Sequence, residues 1–314
     1  MSTNHPSYGK PNREYGIRLA TTPPEEDGPI LMVNLMKYRE RALYTDGSDG
    51  GASGREADDR YAPIDVLRNI GAEVALFADV EAQLDPGSPR WDRVGCVLYP
   101  TRRSFIEMQS RSDFQERHVH KQAGMETTIV MGSCLIPSSI EGTGLQRDWQ
   151  EVEHPPTPED GPVVVMHVIR FADDRAGEHM HEYHSAAFEV AARQGARIAG
   201  WYRVEGTILG DGRVWHEVRF NQFPSKSAFM AVVADPARQA AQSEHRARHC
   251  RHLRTPPAPD DQPPARRAPP LIGPMTEYGG CRCVSGSYLR FDVDERNAGV
   301  ASPQGFRSRE DRCV

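Results

Sequence analysis

The sequence predicts an α+β protein made of two related halves, each an antiparallel sheet with two helices on one face. Two observations carry this. "GPILMVNLMKY" (28–38) and "GPVVVMHVIRF" (161–171) are one phrase written twice, an apolar run with a polar residue in its middle, Asn34 in the first and His167 in the second. In addition, "GAEVALFADVEA" (71–82) aligns with "GARIAGWYRVEG" (195–206), and "WDRVGCVLYPTRRSF" (91–105) with "WHEVRFNQFPSKSAF" (215–229), both at an offset of 124 residues. Several matches in one order and at one offset indicate duplication, and 314 residues suit about two units of roughly 150.

Residues 1–27 are polar, proline-bearing and aperiodic, and are expected to be a flexible arm. The first half runs from 28 to 136. Its opening phrase reads as a strand. The glycine-rich insert "YTDGSDGGASGREADD" (44–59) lacks the phosphate-binding glycine–lysine pattern and is expected to be a lid or a plain surface loop. A helix follows Tyr61, with Pro63 early and Ile64, Leu67 and Ile70 at helical spacing. In the second half the corresponding helix follows Tyr183. Gly71 and Gly195 are placed to stop these helices with φ > 0. Two strands come next, then a helix capped by Thr101 or Ser225, each just after a proline. "TTIVMGSCLI" (127–136) supplies a fourth strand to the first half.

Residues 137–160 read as a linker. The second half covers 161–253 and shows no obvious fourth strand. Residues 254–314 form a proline-rich tail, expected to be largely disordered, in which "GSYLRFDV" can make one short strand. The order βαββαβ is the ferredoxin-like unit. Its sheet needs cover on the face away from its helices, and two such sheets can cover each other.

Side-chain alternation divides each strand between two faces. One parity is aliphatic: Leu31, Val33 and Leu35, with Val164, Met166 and Val168 in the repeat. It is expected to lie under the helices. The other carries Asn34, Tyr38, His167, Trp201, Arg203, Glu205, Trp91 and Trp215. An apolar sheet-to-sheet core would not take so many polar groups, because burying them unpaired is costly. This second face is therefore expected to line a cavity between the sheets.

The net charge of −6 argues against a nucleic-acid partner. The N-terminus has no apolar signal region, and no run approaches the ~20 apolar residues of a membrane span. The expectation is a cytoplasmic protein with no membrane partner. Cys96 and Cys134 fall in strands as buried thiols. Cys250, Cys281, Cys283 and Cys313 do not make a zinc pattern. "HMHEYH" (179–184) brings His181 and His184 one turn apart but lacks H-E-x-x-H, so no metal site is expected. "HVHKQAG" (118–124) ends a helix, where the dipole alone favours His118 and His120.

"GPILMVNLMKYRE", "WDRVGCVLYPTRRSFIEM" and "HKQAGMETTIV" resemble an uncharacterised family, a domain of unknown function, in the dimeric α+β-barrel superfamily. The likeness covers 28–136 and, more loosely, 161–250. Its most telling feature is the aromatic–Pro–Ser/Thr turn at Tyr99-Pro100-Thr101 and Phe223-Pro224-Ser225. The resemblance implies two ferredoxin-like sheets paired as a barrel, within one chain or in a homodimer. It also adds His120 as a binding residue. Superfamily activities include cofactor-independent oxygenation of aromatic substrates, haem degradation, isomerisation and cyclisation.

The expected function is a small-molecule enzyme of oxygenase, isomerase or cyclase type that needs no cofactor, with its pocket between the sheets. The alternatives are a non-catalytic binding or structural scaffold and, third, a haem binder. His167 is the expected acid or base, because its pKa lies near neutrality, and Asn34 or Arg203 the group that holds an oxyanion. Trp91, Trp201, Trp215, Tyr38, Glu205 and His120 are the expected binding residues for an aromatic or polyketide-like ligand.

Overall fold

A computed structural model describes residues 7–48, 51–83, 89–136, 147–171 and 188–240, together with the backbone of 286–292. The first half comprises β1 (Lys10–Pro11), α1 (Arg13–Thr21), β2 (Ile30–Tyr38), α2 (Gly54–Tyr61), α3 (Ile64–Asn69), β3 (Glu73–Asp79), β4 (Ala82–Gln83), β5 (Arg93–Tyr99), α4 (Arg102–Ser110), α5 (Ser112–Gly124) and β6 (Met125–Leu135). The second half comprises β7 (Val163–Ile169), α6 (188–193), β8 (Arg197–Gly210), β9 (Glu217–Phe223), α7 (Lys226–Ala234) and β10 (Gly286–Asp292).

The strands form one antiparallel sheet in the order β3-β5-β2-β6-β8-β9-β7-β10-β4, with β1 added alongside β8. The pairs β6·β8 and β10·β4 join the halves. Because β4 follows β3 after two residues, the sheet curls until its ends meet. β10, which lies in the tail, pairs with β7 from Gly286↔Ile169 to Asp292↔Val163. The rest of the tail, and "HMHEYH" with it, lies outside the described residues.

Several local expectations hold. Thr101 and Ser225 cap α4 and α7 by accepting from Ser104 N and Ala228 N, both at 3.0 Å. Gly71 and Gly195 have φ of +72° and +80°.

The N-terminal arm is a correction. Asn12 caps α1 by accepting from Tyr15 N, and Tyr15 and Leu19, one turn apart, are buried. The Tyr15 ring lies against Gly132 of β6 and Gly206 of β8, where any Cβ would collide with it. Burying two such side chains contributes roughly 1.5–3 kcal/mol each, and a side-chain cap about 1 kcal/mol more. The linker is tied down as well: Trp149 donates to Gly195 O at 2.8 Å, and the Arg197 guanidinium stacks 4.2 Å from the Trp149 ring centre.

The face assignment is the main correction. Leu31, Val33, Leu35, Met166, Val168 and Val218 join one core drawn from both halves. They fill the space between the sheets. The other parity, Ile30 and Met32, packs against Val66, Leu67, Phe105, Met108 and Phe114 of the helices. The physical reason is that the barrel interior is enclosed by sheet on every side and takes the purely aliphatic face. Helices laid across a sheet leave gaps, and polar groups are tolerated there. Trp91 and Trp215 precede their strands, so alternation does not govern them; both turn into the interior core.

Candidate functional site

The cavity lies on the outer face of the first half, between its sheet and helices α2, α3 and α5, with a volume of about 1670 Å³. Its floor is Met32, Asn34 and Met36 of β2 with Gly95 and Val97 of β5. Gly95 keeps the floor open, since a Cβ there would meet Met36 at 3.3 Å and Phe77 at 3.4 Å. Asn34 donates to Gly95 O at 3.2 Å, so its amide is held along the sheet, while its Oδ1 makes no hydrogen bond among the described residues.

The insert forms one wall. Ser53 and Glu56 make a reciprocal capping box at the start of α2. Gly54 passes so close to Gly124 at the end of α5 that a Cβ on either would strike the other's backbone. This crossing fixes Arg55, Asp58, Asp59 and Tyr61 at the cavity. The arm adds another wall: Tyr8 accepts from Thr128 N through its carbonyl, and its hydroxyl lies 2.9 Å from His118 Nε2.

Two electrostatic groupings result. At the rim, Arg93 bonds Asp58 (3.3 Å), Asp59 (2.7 Å) and Asp79 (3.0 Å), and its guanidinium lies 4.6 Å from the Phe77 ring centre. Tyr38 donates to Asp58 at 2.6 Å, and Arg55 also pairs with Asp79. Deeper, α5 presents Phe114, His118 and Lys121 at helical spacing. Lys121 is buried. Its ammonium lies 5.0 Å from the Tyr61 ring centre and has no hydrogen bond or ion pair among the described residues. Burial lowers its pKa, opposed by Asp58. Burial, with Lys121 adding to it, brings His118 down to about 4, so the imidazole is neutral at pH 7. Burial raises the Tyr8 and Tyr61 phenols, which stay protonated. His118 Nδ1 makes no hydrogen bond among the described residues.

The residues named from sequence are scattered. Asn34 is in the cavity, and Tyr38 stands behind it through Asp58. His120 bonds Tyr44 of the insert at 2.8 Å. Glu205 pairs with Arg102 of α4 and with Arg18 of α1. His167 lies on the outer face of the second half, 3.5 Å from Asn221, with burial and Arg219 bringing its pKa to about 3. Trp201 is on the same half, donating to Glu217 at 2.8 Å, with the Arg219 guanidinium 3.6 Å from its ring centre. Arg203 is exposed opposite Glu217. Trp91 and Trp215 pack into the core between the sheets and, among the described residues, are not part of this cavity's walls. Sequence reasoning missed Tyr8, Asp58, His118 and Lys121. A signal existed only on α5, where His118 and Lys121 interrupt the face begun by Phe114.

This arrangement is an α+β architecture: an antiparallel sheet curled on itself, helices outside, and a ligand-sized hollow beneath one helical layer. No family model matches the chain, and no curated protein matches it. Among solved structures it is similar to a protein of unknown function from Rhodopseudomonas palustris, at 28% identity over 40% of this chain and 95% of that one, with a TM-score of 0.35. It is also similar to an anthrone oxidase-like protein, at 11% identity over 85% and 93% of the two chains, with a TM-score of 0.40. A chlorite dismutase variant from Candidatus Nitrospira defluvii is similar at 12% identity over 68% and 83%, with a TM-score of 0.39. Among the described residues no helix is long and apolar enough to cross a membrane, and no group of three or more His, Cys, Asp or Glu is placed to hold a metal ion.

Proposed function

We propose that the chain is a small-molecule enzyme acting without a cofactor, and that its pocket is the cavity under the helices of the first half. The strand orders β3-β5-β2-β6 and β8-β9-β7-β10 support reading it as two ferredoxin-like repeats, bounded by 28–136 and 161–292, that pair within one chain. The observation that carries the functional reading is the stripe on α5. His118 and Lys121, one turn apart, both face the cavity, and both keep polar atoms without a hydrogen bond among the described residues. Clefts with titratable groups shifted by burial are where acid–base chemistry concentrates.

The reaction class is proton transfer at a carbon next to a carbonyl, as in an isomerisation or cyclisation. His118 Nδ1 takes the proton while Nε2–H donates to the Tyr8 oxygen. The C–H electron pair remains on the substrate as an enolate, the proton held on Nδ1 exchanges with water, and His118 returns a proton to the same or another atom. Asn34 and Lys121 stand where they can face the enolate oxygen. His167 is not assigned the base, because it faces Asn221 and Arg219 on the other half.

The test is deuterium uptake from D2O into a panel of planar cyclic ketones, followed by NMR. The expected result is enzyme-dependent exchange that drops at least about 100-fold in His118→Phe, the scale of a lost general base. Exchange unchanged in that variant would overturn the assignment.

A further inference from the structure

We infer that the ligand of this cavity carries an acidic group, a carboxylate or acidic phenol, and that Lys121 is its anchor. This deepens the proposed function and rests on the cavity being a binding pocket. The argument is one of unmatched charge. Lys121 is 8% exposed, and among the described residues its ammonium has the face of Tyr61 beside it and no hydrogen bond or ion pair. A cation taken from water without an acceptor is costly, and apolar replacement of such groups usually stabilises a fold.

The neighbouring charges do not supply the missing partner. Arg93 is shared among Asp58, Asp59 and Asp79, and Arg55 is paired with Asp79. Asp58, the carboxylate that acts on Lys121, already accepts from Tyr38 and Arg93. The three carboxylates and the three cations Arg55, Arg93 and Lys121 balance in number, but Lys121 is the one of the six with no direct polar partner among the described residues, and its ammonium faces a hollow lined also by Tyr8, Tyr61, Phe77, Phe114, Met32 and Met36. An apolar, flat body with one anionic substituent matches both features. A carboxylate takes the ammonium protons directly, and the rings accept the remainder of the molecule.

The experiment uses the full chain with two probes of one shape, 2-naphthoate and 2-naphthamide, titrated by calorimetry against wild type, Lys121→Met and a pocket-filling Gly95→Phe. Expected is at least tenfold tighter binding of the naphthoate by wild type. Lys121→Met should lose that preference, keep the naphthamide affinity within about twofold, and melt at the same or a higher temperature than wild type. Equal binding of both probes by wild type, or a preference that survives Lys121→Met, overturns the anchor and leaves the pocket standing. A fall of several degrees in the Lys121→Met melting temperature would show an ion pair that the fold depends on, and also overturns the anchor. Absence of naphthamide binding, or binding unaffected by Gly95→Phe, overturns the pocket itself.

Discussion

The two halves place different chemistry on the same lattice of positions. In the first, Arg93 of β5 sits opposite Asp79 of β3; at the same offset in the second, Glu217 of β9 sits opposite Arg203 of β8. The cross-strand charge pair recurs with its sign reversed. One register step on, Gly95 leaves room beside Phe77, whereas Arg219 lies flat on Trp201 and pairs with Glu217. One half is hollow at this point and the other is filled. The difference teaches that a cavity here is made by a missing side chain and by added walls, the arm and the insert, rather than by the sheet.

The comparison breaks most visibly at the charges. Arg93 and Asp58 have side chains 6% and 3% exposed. Arg93→Met strands a buried carboxylate and should cost about 3–5 kcal/mol, read from urea unfolding. Glu217→Met removes an acceptor from Trp201 Nε1 and from Arg219, but it strands no carboxylate and leaves Arg219 on the Trp201 ring, so it should cost less. A larger loss in Glu217→Met would reverse the ranking of the two networks.

Next in size is Gly95→Arg, which writes the second half into the first. Its Cβ meets side chains that can give way, so the expected penalty is about 1–3 kcal/mol. Ligand binding at the first-half cavity should disappear, as measured with the naphthamide probe. Retained binding would place the ligand elsewhere.

The smallest effect separates the halves by pH. His118 and His167 are neutral in the folded chain, with pKa values of about 4 and about 3 against 6.5 for a free imidazole. The unfolded chain therefore binds more protons below pH 6.5. Stability from both groups is complete above that value and falls as pH drops from about 6.5 to 4 for His118, and on toward 3 for His167. Melting temperatures between pH 7.5 and 4 should decline less steeply in His118→Phe and in His167→Phe than in wild type. Parallel curves would show that neither imidazole is buried neutral.

Much of the fold was readable because it is local. Thr101 and Ser225 satisfy backbone donors three residues away, and Gly71 and Gly195 end helices through their own φ. Asn34 illustrates the boundary. Its alternation with aliphatic neighbours correctly separated two faces, but nothing in the strand says which face meets helices. Tyr8 and His118 are 110 residues apart, and no pattern links them. The arm was misread because its apolar content is two residues, Tyr15 and Leu19, whose seat is a pair of glycines on β6 and β8.

By itself the sequence determined most of the order of strands and helices, the caps and the parity of each strand, since these depend on neighbours within a few bonds or a single turn. Only the tertiary structure decided which parity is interior, that residues 286–292 pair with β7, and that a neutral imidazole and a buried ammonium share one hollow. Those outcomes depend on which surfaces meet after the sheet has closed, and closure is a property of the whole chain.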